Sequence, residues 1–337
     1  MSDVKGIEVS DVLGLSQPLT KLIETVGCAI GKVYEPVHTK RMAKAKAKEI
    51  EIISTTMSDN FNLPVCYDDG TISIDTKDVN DLVIRAQNRF LFQEMKKQQN
   101  IECVVSNAYS ELEDVNSVSD TPVDEDWISE FFNCVANVST EKMQILWGKL
   151  LAGEVKTPGS FSLRTLEALK RLSTKEANML KEVAPFVLRC KGDAEDTCTD
   201  YFLLANLEGA LLKKYNIPFV KIMLLSDAGL LSENSLIHIG FKLEPSQSET
   251  IKGLNESIEI TNVGSSAIEL RHSAFVLTEA GKELWPIVLT KDDEEKASAH
   301  TYIHECLESL KKNELKFMDF QDKDDEKKRI LLKIIKN

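Results

Sequence analysis

No apolar run in the chain approaches the roughly 20 residues needed to cross a bilayer as a helix. No secretory leader is visible at its start, and no two cysteines form a CxxC pair. The seven stand at positions 28, 66, 103, 134, 190, 198 and 306. An odd, scattered set reads as reduced thiols of a cytoplasmic protein, several of them buried as small apolar residues. There is no P-loop, no GxGxxG after a strand, no GxSxG elbow and no kinase set. Five scattered histidines leave little room for a His-dependent triad. Together these absences weigh against an enzyme, and no cofactor is implied. Positive charge is short as well. The net charge of -13 repels nucleic acid and anionic membrane on average, so either would need a local basic patch.

What is present suits an ordinary soluble fold. The 337 residues are 42% hydrophobic and 28% charged, enough for two domains, or three small ones, with real cores. Periodicity predicts a mainly α chain: N-terminal helices, a central helical bundle and a C-terminal α+β module.

Residues 1–60 carry an amphipathic helix over Gly14 to Tyr34, with Ser16 and Pro18 at its start. A basic helix over Val37 to Met57 follows, with Lys40, Lys44 and Lys48 one turn apart on a single face. Docking of residues 14–48 on a membrane surface, or binding of nucleic acid by the basic helix, is set against a simpler reading. In that reading one helix faces the core and the other is solvated. Residues 61–112 hold a hairpin around Asp69-Gly70, then helix from about Asp78 to Leu112 with a break at Gln98-Gln99-Asn100. Residues 113–123 are acidic, contain Pro122, and read as a linker.

Residues 124–188 are the most self-consistent stretch. Trp127, Ile128, Phe131 and Phe132 give one apolar helix. A second, with Ser139 as its cap and Gly153 as its C-terminal glycine, carries Met143, Leu146, Trp147, Leu150 and Leu151 inward. Pro158-Gly159 makes a turn, Ser162 caps a third helix, and Ser173 with Glu176 forms a capping box for a fourth. Residues 189–320 mix helix and strand. Cys190 to Thr199 reads as a loop and Tyr201 to Tyr215 as helix. Phe219 to Ala228 is a short helix stopped by Gly229, with strands near 235–243, 257–261, 267–270 and 274–277. Thr278 caps a helix, and Asp292 to Lys312 is a charged helix. Residues 321–337 are a charge run with an apolar end that docks or pairs with a partner.

Four constellations could carry chemistry. His300 and His304 share a helical face at a spacing that suits a metal, against the simpler reading of two exposed histidines. Asp124, Glu125, Asp126 and Glu130 could hold Mg²⁺, although acids at a helix start are explained by its dipole. Arg164 lies in a first helical turn, where a cation is unfavourable. It therefore calls for an acid partner, Glu154 or Asp126, in a buried ion pair, or for an anion. Trp127 and Trp147 read as core anchors.

The central motif Leu146-Trp147-Gly148, Leu151-Ala152-Gly153-Glu154, Pro158-Gly159-Ser160 and Ser162-Leu163-Arg164-Thr165-Leu166 resembles the bacterial domain-of-unknown-function 2806 family. That resemblance implies no activity and no site residues. For some members it implies a link to phage defence or mobile elements. Leu225 to Leu231 and Phe275 to Leu284 resemble a winged helix domain, but the candidate recognition helix brings only Lys221 as a cation. Three functions follow: an interaction or scaffold protein working through self-association or a protein partner, a nucleic-acid-binding regulator, or a hydrolase or nuclease with an unrecognised motif.

Overall fold

The computed structural model describes residues 16–30, 65–68, 71–74, 82–191, 199–204, 210–232, 237–289, 301–308 and 330–336. These are mainly helical, with an antiparallel sheet in the C-terminal half. The chain divides into two compact units, residues 1–160 and 161–337.

The first unit holds α1 (Gln17–Ile30), β1 (Val65–Asp68), β2 (Thr71–Ile74), α2 (Leu82–Leu112), α3 (Glu125–Val135) and α4 (Glu141–Lys156). Leu19, Leu22 and Val26 of α1 are buried, one turn apart, as the apolar stripe requires. β1 and β2 pair antiparallel, with Asp68 opposite Thr71. The acidic segment after α2 is strapped to α1. The Lys21 ammonium donates to the carbonyls of Ser119 and Thr121, and Gln17 donates to Asp120 at 3.0 Å.

The expected break at Gln98-Gln99-Asn100 is absent: α2 runs through it. The Asn100 side chain is buried. It donates to the Ala136 carbonyl at 2.8 Å and accepts from Gln144, which also donates to the Val138 carbonyl at 2.9 Å. These amides staple α2 to the α3–α4 turn, which buried polar groups can do when each finds a partner.

Asp124 caps α3, accepting from the Trp127 amide at 2.9 Å. Trp127 stacks on Phe131 at 5.3 Å, and Trp147 meets Phe131 edge-on at 5.5 Å, in one buried aromatic cluster. Two cap assignments are corrected. Thr140, not Ser139, is the N-cap of α4, and the Ser139 hydroxyl meets Asn100 instead. Gly153 lies inside α4, which continues to Lys156. The left-handed residue is Gly159, at φ 86, within the anticipated Pro158-Gly159 turn.

The second unit begins with α5 (Leu163–Arg171), α6 (Thr174–Val183) and a 3-10 turn (Ala184–Phe186). Then come β3 (Leu188–Lys191), β4 (Thr199–Leu204), α7 (Ala210–Lys214), α8 (Phe219–Asp227), β5 (Ile237–Leu243), β6 (Ser248–Lys252) and β7 (Glu256–Asn262). It ends with β8 (Ile268–Val276), α9 (Glu279–Val288), a helical stretch at 301–308 (α10) and β9 (Ile330–Lys336). Ser162 and Thr278 cap their helices as read, and Ser173 with Glu176 closes the capping box. The Glu283 carboxylate of α9 takes the Ser162 amide at 2.7 Å and the Thr165 hydroxyl at 2.5 Å, so α9 helps to cap α5.

The strands form one antiparallel sheet in the order β5-β8-β4-β3-β6-β7-β9. Tyr201 to Tyr215 is therefore not one helix, since Thr199–Leu204 is a strand, and β3 occupies the start of the stretch read as a loop. The apolar end of the chain docks as β9. Its register sets Lys336 opposite Glu256 and Lys333 opposite Glu259, with Ile334 opposite Ile258. A one-residue slip would turn the side chains of β9 to the opposite face of the sheet. The basic stretch Val37 to Met57 and the charge run Gln321 to Arg329 lie outside the described residues.

Candidate functional site

Helix α8 reads Phe-Val-Lys-Ile-Met-Leu-Leu-Ser-Asp, apolar on nearly every side. A nine-residue helix at a domain surface cannot bury all of it. Ile222 and Leu225 point inward and are buried. Phe219, Val220 and Met223, at i, i+1 and i+4, stay 58%, 63% and 50% exposed on one outward face. The Phe219 ring lies 6.4 Å from that of the buried Phe275 on β8, where the face meets the core.

The ends of α8 are held firmly. Gly229 adopts φ 75 and lets the chain reverse after the helix, and Leu230 behind it is buried. A Cβ on Gly281 of α9 would lie 2.1 Å from the Leu230 carbonyl oxygen, so glycine is required for this approach. The one cation of α8, Lys221, is turned away from solvent with its side chain 16% exposed. Its ammonium contacts the Glu182 carboxylate and the Asn216 carbonyl, the latter at 2.8 Å. The outward face is thus apolar and uncharged.

The other titratable cluster lies where α10 meets the β6–β7 connection. His304 Nε2 is 3.7 Å from Glu256 Oε2, with the imidazole 61% exposed and the carboxylate buried. Beside them, a cleft lined by Pro185, Leu188, Gly253, Asn255 and Tyr302 has a volume of about 10 Å³, room for about one water. Burial pushes the Cys306 thiol up to about 12, against a hydrogen bond to Tyr302 that lowers it. This thiol stays protonated at neutral pH and supplies no thiolate nucleophile. Tyr215 is also raised, by burial first and by the Glu305 carboxylate second. Phe186, Tyr215 and Tyr302 pack edge-on or tilted around one another at 5.2–5.3 Å between centroids. The cluster is a packed corner rather than an open pocket.

The sequence-predicted residues are dispersed. Arg164 is exposed at the start of α5, so the expected buried ion pair is not formed. Glu154 instead accepts from the Gly159 amide at 2.5 Å. A first-turn arginine pointing into water is screened by solvent, which removes the need for a buried partner. Glu125 and Asp126 are exposed in the first turn of α3, behind the Asp124 cap. His304 faces Glu256, while His300, Lys40, Lys44 and Lys48 lie outside the described residues. No group of three or more metal-ligating side chains occurs among the described residues. No helix among them is long and apolar enough to cross a membrane.

Sequence reasoning noted Lys221 and passed over Phe219, Val220 and Met223. The available signal was the surplus of apolar residues on a helix too short to hide them. Glu256 and Tyr302 carried no such signal, because only the sheet register and α10 bring them together. No curated protein and no solved structure matches the chain. Residues 84–299 do match a family model described as a protein of unknown function (DUF2806); this is more than half of the chain, which belongs to that family.

Proposed function

We propose that this is a cytoplasmic interaction or scaffold protein that meets a protein partner, or a second copy of itself, through the outward face of α8. The observation that carries the reading is the exposure of Phe219, Val220 and Met223 where the one cation of the helix is tied to Glu182. Exposed apolar groups clustered on one face mark association surfaces. A helix that reads DNA brings several cations and amides to phosphates and base edges.

The order of elements supports winged-helix character for the second unit. Helix α6 is followed by the β3–β4 pair, then α7, α8, β5 and, after β6 and β7, β8; three of these strands lie in the order β5-β8-β4. The β6–β7 hairpin enlarges the wing between β5 and β8. On this reading the module keeps the scaffold of a DNA reader and uses its recognition helix for protein. A role in phage defence rests on the family resemblance, and genomic neighbourhood tests it: neighbouring nucleases or restriction systems support it, and an isolated housekeeping context counts against it.

The functional test compares three tagged forms of the full chain: wild type, Phe219→Asp with Met223→Asp, and Lys221→Ala. The reading expects a protein assembly, with itself or another chain, that survives Lys221→Ala and is lost in the double variant while its melting curve is kept. Salt-dependent retention on duplex DNA, lost on charge reversal of Lys40, Lys44 and Lys48, would instead favour the nucleic-acid-binding regulator.

A further inference from the structure

Across the middle of the sheet, Tyr201 of β4, Arg189 of β3 and Lys252 of β6 stand side by side. Arg189 is paired with Tyr201 on one side and with Lys252 on the other. Directly paired residues in an antiparallel sheet point to the same face, with Cβ atoms about 5 Å apart. Two cations therefore adjoin each other in a chain whose net charge is -13. Like charges directly opposite destabilise a sheet unless something offsets them. Neither Arg189 nor Lys252 forms an ion pair among the described residues. Along the same face, Glu259 stands two residues further along β7, opposite Lys333.

The guanidinium is also positioned. It lies over the Trp285 ring at 5.1 Å, and Tyr201 packs edge-on against the same ring at 5.4 Å. Trp285 is itself fixed, its indole N–H donating to the Ala184 carbonyl at 2.7 Å. Arg189 Nε is buried and has no acceptor among the described residues. A buried donor without an acceptor is costly and points to a missing group. The stack orients a planar donor fork, and such a fork matches the oxygens of a phosphate.

We propose that Arg189, Lys252 and the Tyr201 hydroxyl form a binding site for a phosphate monoester dianion, free or carried by a small molecule. Two adjacent cations suit one doubly charged group. A polyanion would bring many charges against an acidic surface. The site is separate from the α8 face and does not depend on the function proposed for it.

The test is calorimetric titration of the full chain with inorganic phosphate and with a nucleoside 5′-monophosphate, at constant ionic strength set with chloride. Saturable binding is expected, weakened about tenfold or more by Arg189→Gln and by Lys252→Ala. Because Lys252 is exposed, its variant keeps the fold and gives a clean reading even if Arg189→Gln disturbs the Trp285 stack. No saturable binding to the wild type, or binding unchanged in Lys252→Ala, would overturn the site. Displacement of phosphate by an equimolar duplex would overturn the choice of a small dianion.

Discussion

At the residue scale, the caps are where local chemistry and observed geometry meet. Ser173 accepts from the Glu176 amide, and the Glu176 carboxylate accepts from the Ser173 amide at 2.7 Å. The hydrogen bond with the Ser173 side chain is the first cause that holds Glu176 below its ordinary 4.5, and that with the Ser173 backbone is the second. A carboxylate lowered on folding adds stability that is present above its unfolded value. That stability is lost as pH falls through the lowered folded value. Ser173→Ala is expected to cost about 1 kcal/mol at neutral pH. The difference from wild type should narrow in acid, as paired urea titrations would measure. Gly148 offers a steric counterpart. A Cβ there would lie 2.5 Å from Asn107 Cβ and 3.0 Å from the Val104 carbonyl. Gly148→Ala is expected to cost roughly 1–3 kcal/mol, read by urea titration, because α2 and α4 meet at backbone contact. The Trp147-Gly148 pair thus has a packing cause: Trp147 fills the core and Gly148 lets α2 approach. Gly153 was misread because a glycine near a helix end signals a cap only when its φ is positive, and that is a property of Gly159.

At the scale of elements, helices with a stripe and a cap were legible, and short strands were not. α3, α5, α6 and α9 each announce themselves by a capping side chain followed by apolar residues at helical spacing. β3 has four residues and β6 five, too few for alternation to outweigh helical propensity, and both exist because neighbours hydrogen-bond to them. β4 was lost for a related reason. Tyr201, Phe202 and Leu203 run continuously apolar, and a buried strand in that form resembles a helix start. The last strand was visible as an apolar tail, but its partner became clear only from the register, where Glu259 of β7 stands opposite Lys333 of β9. Glu259→Lys is expected to weaken β9 docking by about 0.2–1 kcal/mol, and Lys333→Glu added to it should restore most of the loss. A double-mutant cycle read by urea unfolding measures the coupling, and independent, additive effects would contradict the pairing.

At the scale of the whole molecule, the reading of 124–188 as one bundle meets a division of the chain at residues 160 and 161. The helices on either side bury their stripes against different elements: α3 and α4 against α1 and α2, and α5 and α6 against α9 and α8. Periodicity shows that a helix has an apolar face; it does not name the element that will cover it. The same gap applies to the exposed face of α8. The sequence announced a helix ending in Gly229, but not which of its many apolar residues would be left in water. Phe219, Val220 and Met223 became distinguishable only after Ile222 and Leu225 had taken the inward positions.

The central claim is that this outward face of α8 is covered by protein. Oxidative footprinting of Met223 and Phe219 tests it directly, in the purified chain, in the same chain with duplex DNA, and in lysate from its native cells. The account predicts oxidation of both residues in the dilute purified chain with or without DNA, and protection in the lysate. Equal oxidation in the lysate, or protection by DNA alone, would contradict it.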